Sequence, residues 1–423
     1  MRPTYQVIKM LKKFSLIIGL CAASTMASAD QSPLSLEEAI RIATATPDPS
    51  VESFLTRKSA NLEAATAAGA LPDPSASVSV RNLPVDDFDL NREPMTQLHL
   101  GVRQMFPRGD TRSLQAEQRM FMADENSAFA LERTRAIIRD VTIAWHKARY
   151  SHVAQEELQG LSALLGELRA AQEGNFAAAG KAAIQKIYRT ELEAALVEDR
   201  VASTLQAHAQ AVEMLARYIG RAEALRPPAD TPVLATAAEA AAGLDTALDA
   251  HPLLQAATAR EKVAGNKVAL AHEAYKPAWG VEVGYGQRYG GRSDFASAMV
   301  TFDLPFWTSS RQDPALRAAK AEKQSQSLSK EALKLNLERE ARSLIADIRH
   351  LEGRIDRFET AILPQADSVV TATRNAYGAG DVDFSELIRA EIALVDSRLR
   401  LAMLHRDLGI AHAGLTFLTG DDQ

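Results

Sequence analysis

Cysteine is almost absent: Cys21 is the only one in 423 residues. That excludes a disulfide framework, a cysteine-based zinc site and a cysteine nucleophile. Aromatic residues are scarce at 6%, while Ala, Leu, Glu, Arg and Gln fill long stretches, a composition that favours helix. Positive charge is not in excess. The formal net charge is −6, which argues against a nucleic-acid binder. No run approaches the roughly 20 apolar residues of a transmembrane helix. A membrane contact would have to come from amphipathic helices or β-strands. No Ser/His/Asp grouping or glycine-rich catalytic elbow is present, so the expectation is a non-enzyme without a cofactor.

Residues 1–29 read as a signal peptide. Arg2, Lys9, Lys12 and Lys13 precede an apolar run from Phe14 to Ala23, and Ala27-Ser28-Ala29 forms a small-x-small cleavage site. Cleavage there would remove four cations and no acid, taking the net charge from −6 to −10. Acylation at Cys21 competes with this reading, but Leu20 is a poor residue in front of a lipidated cysteine. The expected mature N-terminus is Asp30.

The chain repeats itself. Asn375, Gly380, Phe384, Leu387, Glu391 and Leu418-Thr419-Gly420 are matched, 200 residues earlier, by Asn175, Gly180, Ile184, Ile187, Glu191 and Tyr218-Ile219-Gly220. Pro47 and Pro72 are spaced as Pro252 and Pro277 are. Several matches in one order point to duplication. The expected units are residues 30–221 and 243–423, joined by a linker over 222–242 that contains Pro227, Pro228 and Pro232. Each unit reads as helix, two strands, very long helix, break, helix.

Prolines disfavour helix at the residue before them, so helices end near Pro72 and Pro277. Strict alternation follows. Ala76, Val78 and Val80 alternate with small or polar residues, as do Leu98, Leu100 and Val102; in the second unit so do Val281, Val283 and Tyr285, then Ala298, Val300 and Phe302. The predicted strands are 75–82, 96–106, 278–287 and 296–304. An ordinary antiparallel sheet with one wet face fits this pattern. So does a transmembrane barrel with apolar residues outside and polar residues inside. Four strands cannot close a barrel alone, so the barrel reading requires several copies. In that reading an arginine at Val281 or Val300 meets lipid, and one at Gly280 or Ser297 meets water.

Heptads run through the long helices. Leu337, Leu344, Leu351 and Phe358 recur at seven, in parallel with Ile348, Ile355, Ile362 and Val369. Leu387, Leu394, Leu401, Leu408 and Leu415 continue the rhythm, and Leu158, Leu161, Leu165 and Leu168 show it in the first unit. Pro364 is expected to kink the helix. Other motifs fall away. Gly180-Lys181-Ala182 lacks the glycine and the Ser/Thr of a phosphate loop. Asp381, Asp383 and Ser385 lack the glycine and glutamate of a calcium loop. His405 and His412 are seven apart and leave a metal contact conceivable on one helix face.

Taken together, these features resemble the TolC-type outer-membrane factors. The closest motif runs from Ile362-Leu363-Pro364 through Tyr377-Gly378-Ala379-Gly380 to Phe384 and Leu394. The stretch Leu71-Pro72-Asp73-Pro74, Asn82-Leu83-Pro84 and Gln104-Met105-Phe106-Pro107 is most similar to the CzcC/CusC-like heavy-metal-efflux branch. The resemblance implies a mainly α fold with a small β part. Three copies would form a homotrimer, pooling four strands each into a 12-stranded outer-membrane barrel continued by a periplasmic α-barrel. It implies a Gram-negative outer-membrane location, contact with outer-membrane lipid, and a periplasmic adaptor and an inner-membrane pump of the resistance-nodulation-division type as partners. Gly180 and Gly380, with Asp381 and Asp383, would be adaptor-contacting tips. Glu386 matches an aperture acid, Arg389 stands where a second acid is expected, and Lys186 and Arg189 are their first-unit counterparts. Lys186 and Glu386 therefore offer a salt-bridged gate. Type I secretion shares this architecture, and a soluble periplasmic coiled-coil scaffold is the rival from another class.

Overall fold

The computed structural model describes residues 32–179 and 182–420, without the side chains of 168, 169, 171–179, 182–187 and 190. The segment read as a signal peptide, Cys21 and Gly180 lie outside the described residues. The chain is mainly helical with one four-stranded antiparallel sheet. Two helices, α1 (Leu36–Ala45) and α2 (Pro49–Gly69), lead to strands β1 (Ser75–Arg81) and β2 (Gln97–Phe106). Then come α3 (Thr111–Ala179) and α4 (Ala182–Ile219). Three short helices follow, α5 (Arg221–Ala224), α6 (Ala237–Ala241) and α7 (Leu244–Asp249). Next are α8 (Pro252–Glu273), β3 (Ala278–Arg288), β4 (Phe295–Asp303), α9 (Gln312–Arg357), α10 (Leu363–Ala379) and α11 (Phe384–Thr419).

Sequence punctuation explains most of these boundaries. Pro49 and Pro252 sit at the first helical positions of α2 and α8, where a missing N–H costs nothing. Asp48 and His251 cap the two helices, each accepting from a backbone N–H two residues on. Pro72 and Pro277 follow the helices and release the chain into β1 and β3. At about 1.5 Å per residue α3 is roughly 100 Å long, far beyond the width of a compact domain.

Buried apolar seams hold the rods together. Trp145 of α3 is fully buried against Leu34, Val141, Val212 and Leu215, and its indole N–H donates to the carbonyl of Leu34 at 2.9 Å. Leu158, Leu161 and Leu165 of α3 pack with Val197 of α4 and with Phe384, Ile388 and Leu399 of α11. Leu337, Ala341, Ile345 and Ile348 of α9 face Ala411, Leu415 and Leu418 of α11. Helix α11 is touched by α3, α9 and α10 together, which is why its apolar residues extend beyond a single stripe.

The expected heptad series fails at one place. Ile348 and Ile355 are buried as predicted, but Val369 is 52% exposed and its neighbour Val370 is buried. The cause is a π turn at Phe358–Ile362, immediately before Pro364. A π turn inserts one extra residue into the helix, so the seam slips by one position.

The segment between the halves is tied down as well. Arg226 is buried between Glu38 and Glu223, at 3.1 and 2.8 Å, and donates to Ser32. Arg149 of α3 donates to Thr231, Ala229 and Asp230, clamping the extended segment over the helices.

Two buried histidines make this core acid-sensitive. Burial pushes His146 and His251 down to about 4 from an ordinary 6.5. Nδ1 of His251 also accepts the capping bond from Leu253 and must stay unprotonated to do so. The unfolded chain takes up these protons near pH 6.5, and the folded chain only near pH 4. Stability is therefore full above about pH 6.5 and falls between there and about pH 4, by at most about 3 kcal/mol per histidine. Thermal melts from neutral pH to about pH 4.5 should show this loss, and His251→Asn, which keeps a capping side chain, should give a shallower slope. An unchanged slope would remove His251 from the account.

Candidate membrane-facing sheet and helical tip

The strands lie in the order β1-β2-β3-β4, each antiparallel to the next. The two halves are thus joined through β2 and β3, where Leu100 opposes Tyr285 and Val102 opposes Val283. Boundaries fall within one residue of the predicted strands. Register and period two sort the side chains onto two faces. Val78, Leu100, Val102, Val283, Tyr285, Val300 and Phe302 share one face, and all are exposed, Val78 at 71%. The other face carries Ser77, Ser79, Gln97, His99, Arg103, Glu282, Ser297 and Thr301, and there Gln97 and His99 are buried. Hydrophobic and polar faces are thus inverted relative to a sheet packed on a water-soluble core.

Glycine makes the polar face smooth. A Cβ at Gly284 would collide with the imidazole of His99, and one at Gly286 with the carboxamide of Gln97. Side chains of β2 therefore lie flat across β3, and His99 Nε2 reaches Ser297 of β4 at 3.3 Å. Gly280 corrects the expectation that an arginine there meets water: the glycine is buried, and the sulfur of Met105 fills the space its side chain would need. At the helix-proximal end the apolar face becomes aromatic. Phe106 stacks on Trp279 at 4.2 Å, and Trp279 opposes Phe302 across the strands. Phe306 and Trp307 follow, at 72% and 80% exposure. Among the described residues, strands β1 and β4 each keep one edge without a strand partner.

The tip between α10 and α11 is a compact turn. Gly380 adopts φ +83°, its N–H bonds the carbonyl of Tyr377 at 3.0 Å, and the N–H of Asp381 bonds that of Ala376 at 2.9 Å. This is a Schellman cap, which favours glycine for its left-handed backbone. Asp383 caps α11 by accepting from the N–H of Phe384. Glu386 and Arg389 are both exposed and pair with each other at 3.2 Å, while Arg389 also donates to the carbonyl of Ser385. The side chain of Lys186 lies outside the described residues, and Arg189 is exposed on α4. Behind the tip, Arg374 of α10 donates to the buried carboxylate of Glu391 at 2.6 Å. Arg398 of α11 reaches Glu157 of α3 at 3.2 Å, and Asp396 of α11 accepts from Arg200 of α4 at 2.5 Å. Nothing in the sequence signalled these last pairs, because their partners lie up to 241 residues apart.

The histidines weighed for metal do not form a site together. His405 lies 3.3 Å from Glu359, whereas His412 lines a different cavity. Among the described residues no group of three or more His, Cys, Asp or Glu side chains is placed to hold a metal ion. Among them, no helix is long and apolar enough to cross a membrane.

Residues 243–421 match the sequence pattern of the family described as outer membrane efflux protein. No curated protein matches the chain in sequence. Among solved structures, the fold is similar to that of VceC, an outer membrane protein of the bacterial pathogen Vibrio cholerae, with 16% identity, a TM-score of 0.75, and coverage of 91% of this chain and 96% of that one. It is similar to the CmeC outer membrane channel of Campylobacter jejuni, with 10% identity, a TM-score of 0.76, and coverage of 99% and 94%. CusC, described for the changes accompanying its folding and transmembrane channel formation, gives 15% identity, a TM-score of 0.70, and coverage of 91% and 92%. The fold is that of outer-membrane channels. Likeness to CusC is no stronger than likeness to VceC, so the comparisons do not single out the heavy-metal branch.

The turn itself makes a testable pair. Gly380→Ala places a side chain at positive φ and should destabilise the tip by about 1–2 kcal/mol. Gly378→Ala, two residues earlier inside α10 with open space around it, should stabilise the helix by about 0.5–1 kcal/mol. Amide exchange at the ends of α10 and α11 should quicken in the first variant and slow in the second.

Proposed function

We propose that the protein is an outer-membrane exit duct of a tripartite efflux system. Three copies pool their four strands into a 12-stranded barrel, and the long helices continue as a periplasmic tunnel. A signal peptide over residues 1–29 exports the chain, and the duplicated units 30–221 and 243–423 flank the linker. The protein is a conduit rather than a catalyst. A periplasmic adaptor meets the tips at Gly180, Gly380, Asp381 and Asp383, and an inner-membrane pump of the resistance-nodulation-division type supplies the driving force. Metal cations or other small toxic solutes are the cargo, as in the CzcC/CusC-like branch. Glu386, Arg389, Lys186 and Arg189 line the closed aperture.

The observation that carries this reading is the inverted sheet with two free edges. An apolar face turned outward, bounded by an aromatic row at one end, suits a lipid bilayer with its interfacial girdle. Free edges suit neighbouring copies, since a closed barrel has none. A soluble coiled-coil scaffold would leave both features unexplained.

Arginine scanning tests the assignment. Val300→Arg puts a charge on the outward face, at about 2–4 kcal/mol near the bilayer midplane, and should deplete assembled protein from the outer membrane. Ser297→Arg, on the polar face, should leave the level near wild type. The unmodified protein should stay with the outer membrane after a carbonate wash. Equal tolerance at both sites, or release by the wash, would contradict the barrel.

A further inference from the structure

Helices α3 and α4 bring two histidines together outside the buried core. The rings of His152 on α3 and His208 on α4 lie 6.4 Å apart between centres, tilted by 56°. Both side chains are partly exposed, His152 at 36%. The charge that acts on His208 is that of His152, with no arginine or lysine beside it among the described residues. Glu156 stands one helical turn from His152, its carboxylate 3.8 Å from Nδ1 of that ring.

A buried hydroxyl sets the protonation of one ring. Ser151, 1% exposed, donates its hydrogen to the carbonyl of Ala148 at 2.8 Å. Its oxygen is left to accept, and Nδ1 of His208 lies 3.0 Å away. Nδ1 therefore carries the proton and Nε2 keeps its lone pair. Metal-ligating imidazoles are oriented in this way, through the ring nitrogen that does not bind the metal. Nε2 of His208 has no hydrogen-bond partner among the described residues and is not sealed from solvent. Partial burial and the neighbouring His152 hold His208 below its ordinary 6.5, so the ring is neutral at pH 7.

We propose that His152 and His208 bind a divalent transition-metal ion such as zinc, with Glu156 and water completing its shell, so that the ion staples α3 to α4. Imidazole and carboxylate ligands suit zinc, nickel and copper better than magnesium or calcium. Metal–nitrogen bonds of about 2.0–2.1 Å bring two ring centres to roughly 5–6 Å, so the pair closes by a side-chain movement of about 1 Å. Partly exposed rings have room for that movement. The site lies on the helices, apart from the sheet and the tip, and does not depend on the duct reading.

Zinc titrated calorimetrically into the purified full-length protein, free of any affinity tag, tests this. Saturable binding of one ion per chain is expected, with magnesium failing to compete. His208→Gln should abolish that binding. Ser151→Ala, which keeps both ligands but releases the ring, should weaken it about tenfold. His350→Gln, at an exposed position on α9, should match wild type. Copper(II) at one ion per chain should give an electron paramagnetic resonance signature of two imidazole nitrogens on the metal. Absence of saturable zinc binding, equal competition by magnesium, or wild-type affinity in a folded His208→Gln or Ser151→Ala variant would each overturn the proposal. So would fewer than two imidazole nitrogens on copper, a readout that needs no variant and decides the matter even where His208→Gln does not fold.

Discussion

Most of this structure follows from one constraint: a sheet cannot stand in water with its apolar face outward and both edges open. Val78, Val102, Val300 and Phe302 have no helix to pack on, although the chain contains some very long ones. Burying that face takes either lipid or another protein layer, and satisfying the edges takes other strands. Both needs would be met by a ring of copies in a bilayer, as proposed. The glycines of β3 let the polar side chains of β2 lie flat across the opposite face.

The helices meet a different requirement. A rod of roughly 100 Å gains little from propensity alone and depends on seams along its length. Helices α2, α4, α8 and α11 supply them, each packing along α3. Seams of this kind are strong along the rod and directional across it. Ion pairs such as Arg398–Glu157 and Arg200–Asp396 tie α11 to α3 and α4. Exposed pairs are each worth about 0–1 kcal/mol, weak enough to exchange.

Local order was legible in the sequence wherever it rests on neighbouring residues. Alternation around Val78 and Val300 gave the strands to within a residue, and Pro72 and Pro277 marked where they begin. Gly380 was read as a turn for the reason it is one. The heptads were legible up to Phe358 and lost register after it, since no residue pattern distinguishes a π turn before Pro364 from a simple kink. Gly280 looked like open space because a sequence does not say that Met105 lies across it. His146 and His412 were not connected at all: they are far apart in the chain and meet only because α3 and α11 pack beneath the linker. The candidate gate is legible only in part, because Glu386 pairs with Arg389 on its own helix, a contact that chemistry allows but sequence alone does not choose.

Strand neighbours across chains provide the most direct measurement. After residue 29 the sequence contains no cysteine, so a cysteine at Ser77 on β1 combined with one at Ser297, Met299 or Thr301 on β4 reports only the introduced pair. Within one chain β2 and β3 separate these strands, placing the two thiols at least about 14 Å apart, beyond the roughly 7 Å that a disulfide spans. Oxidation in intact outer membranes should therefore give, for at least one pairing, a ladder of covalent species ending at three chains. If every pairing leaves only single chains, the edges do not meet and the closed barrel is wrong.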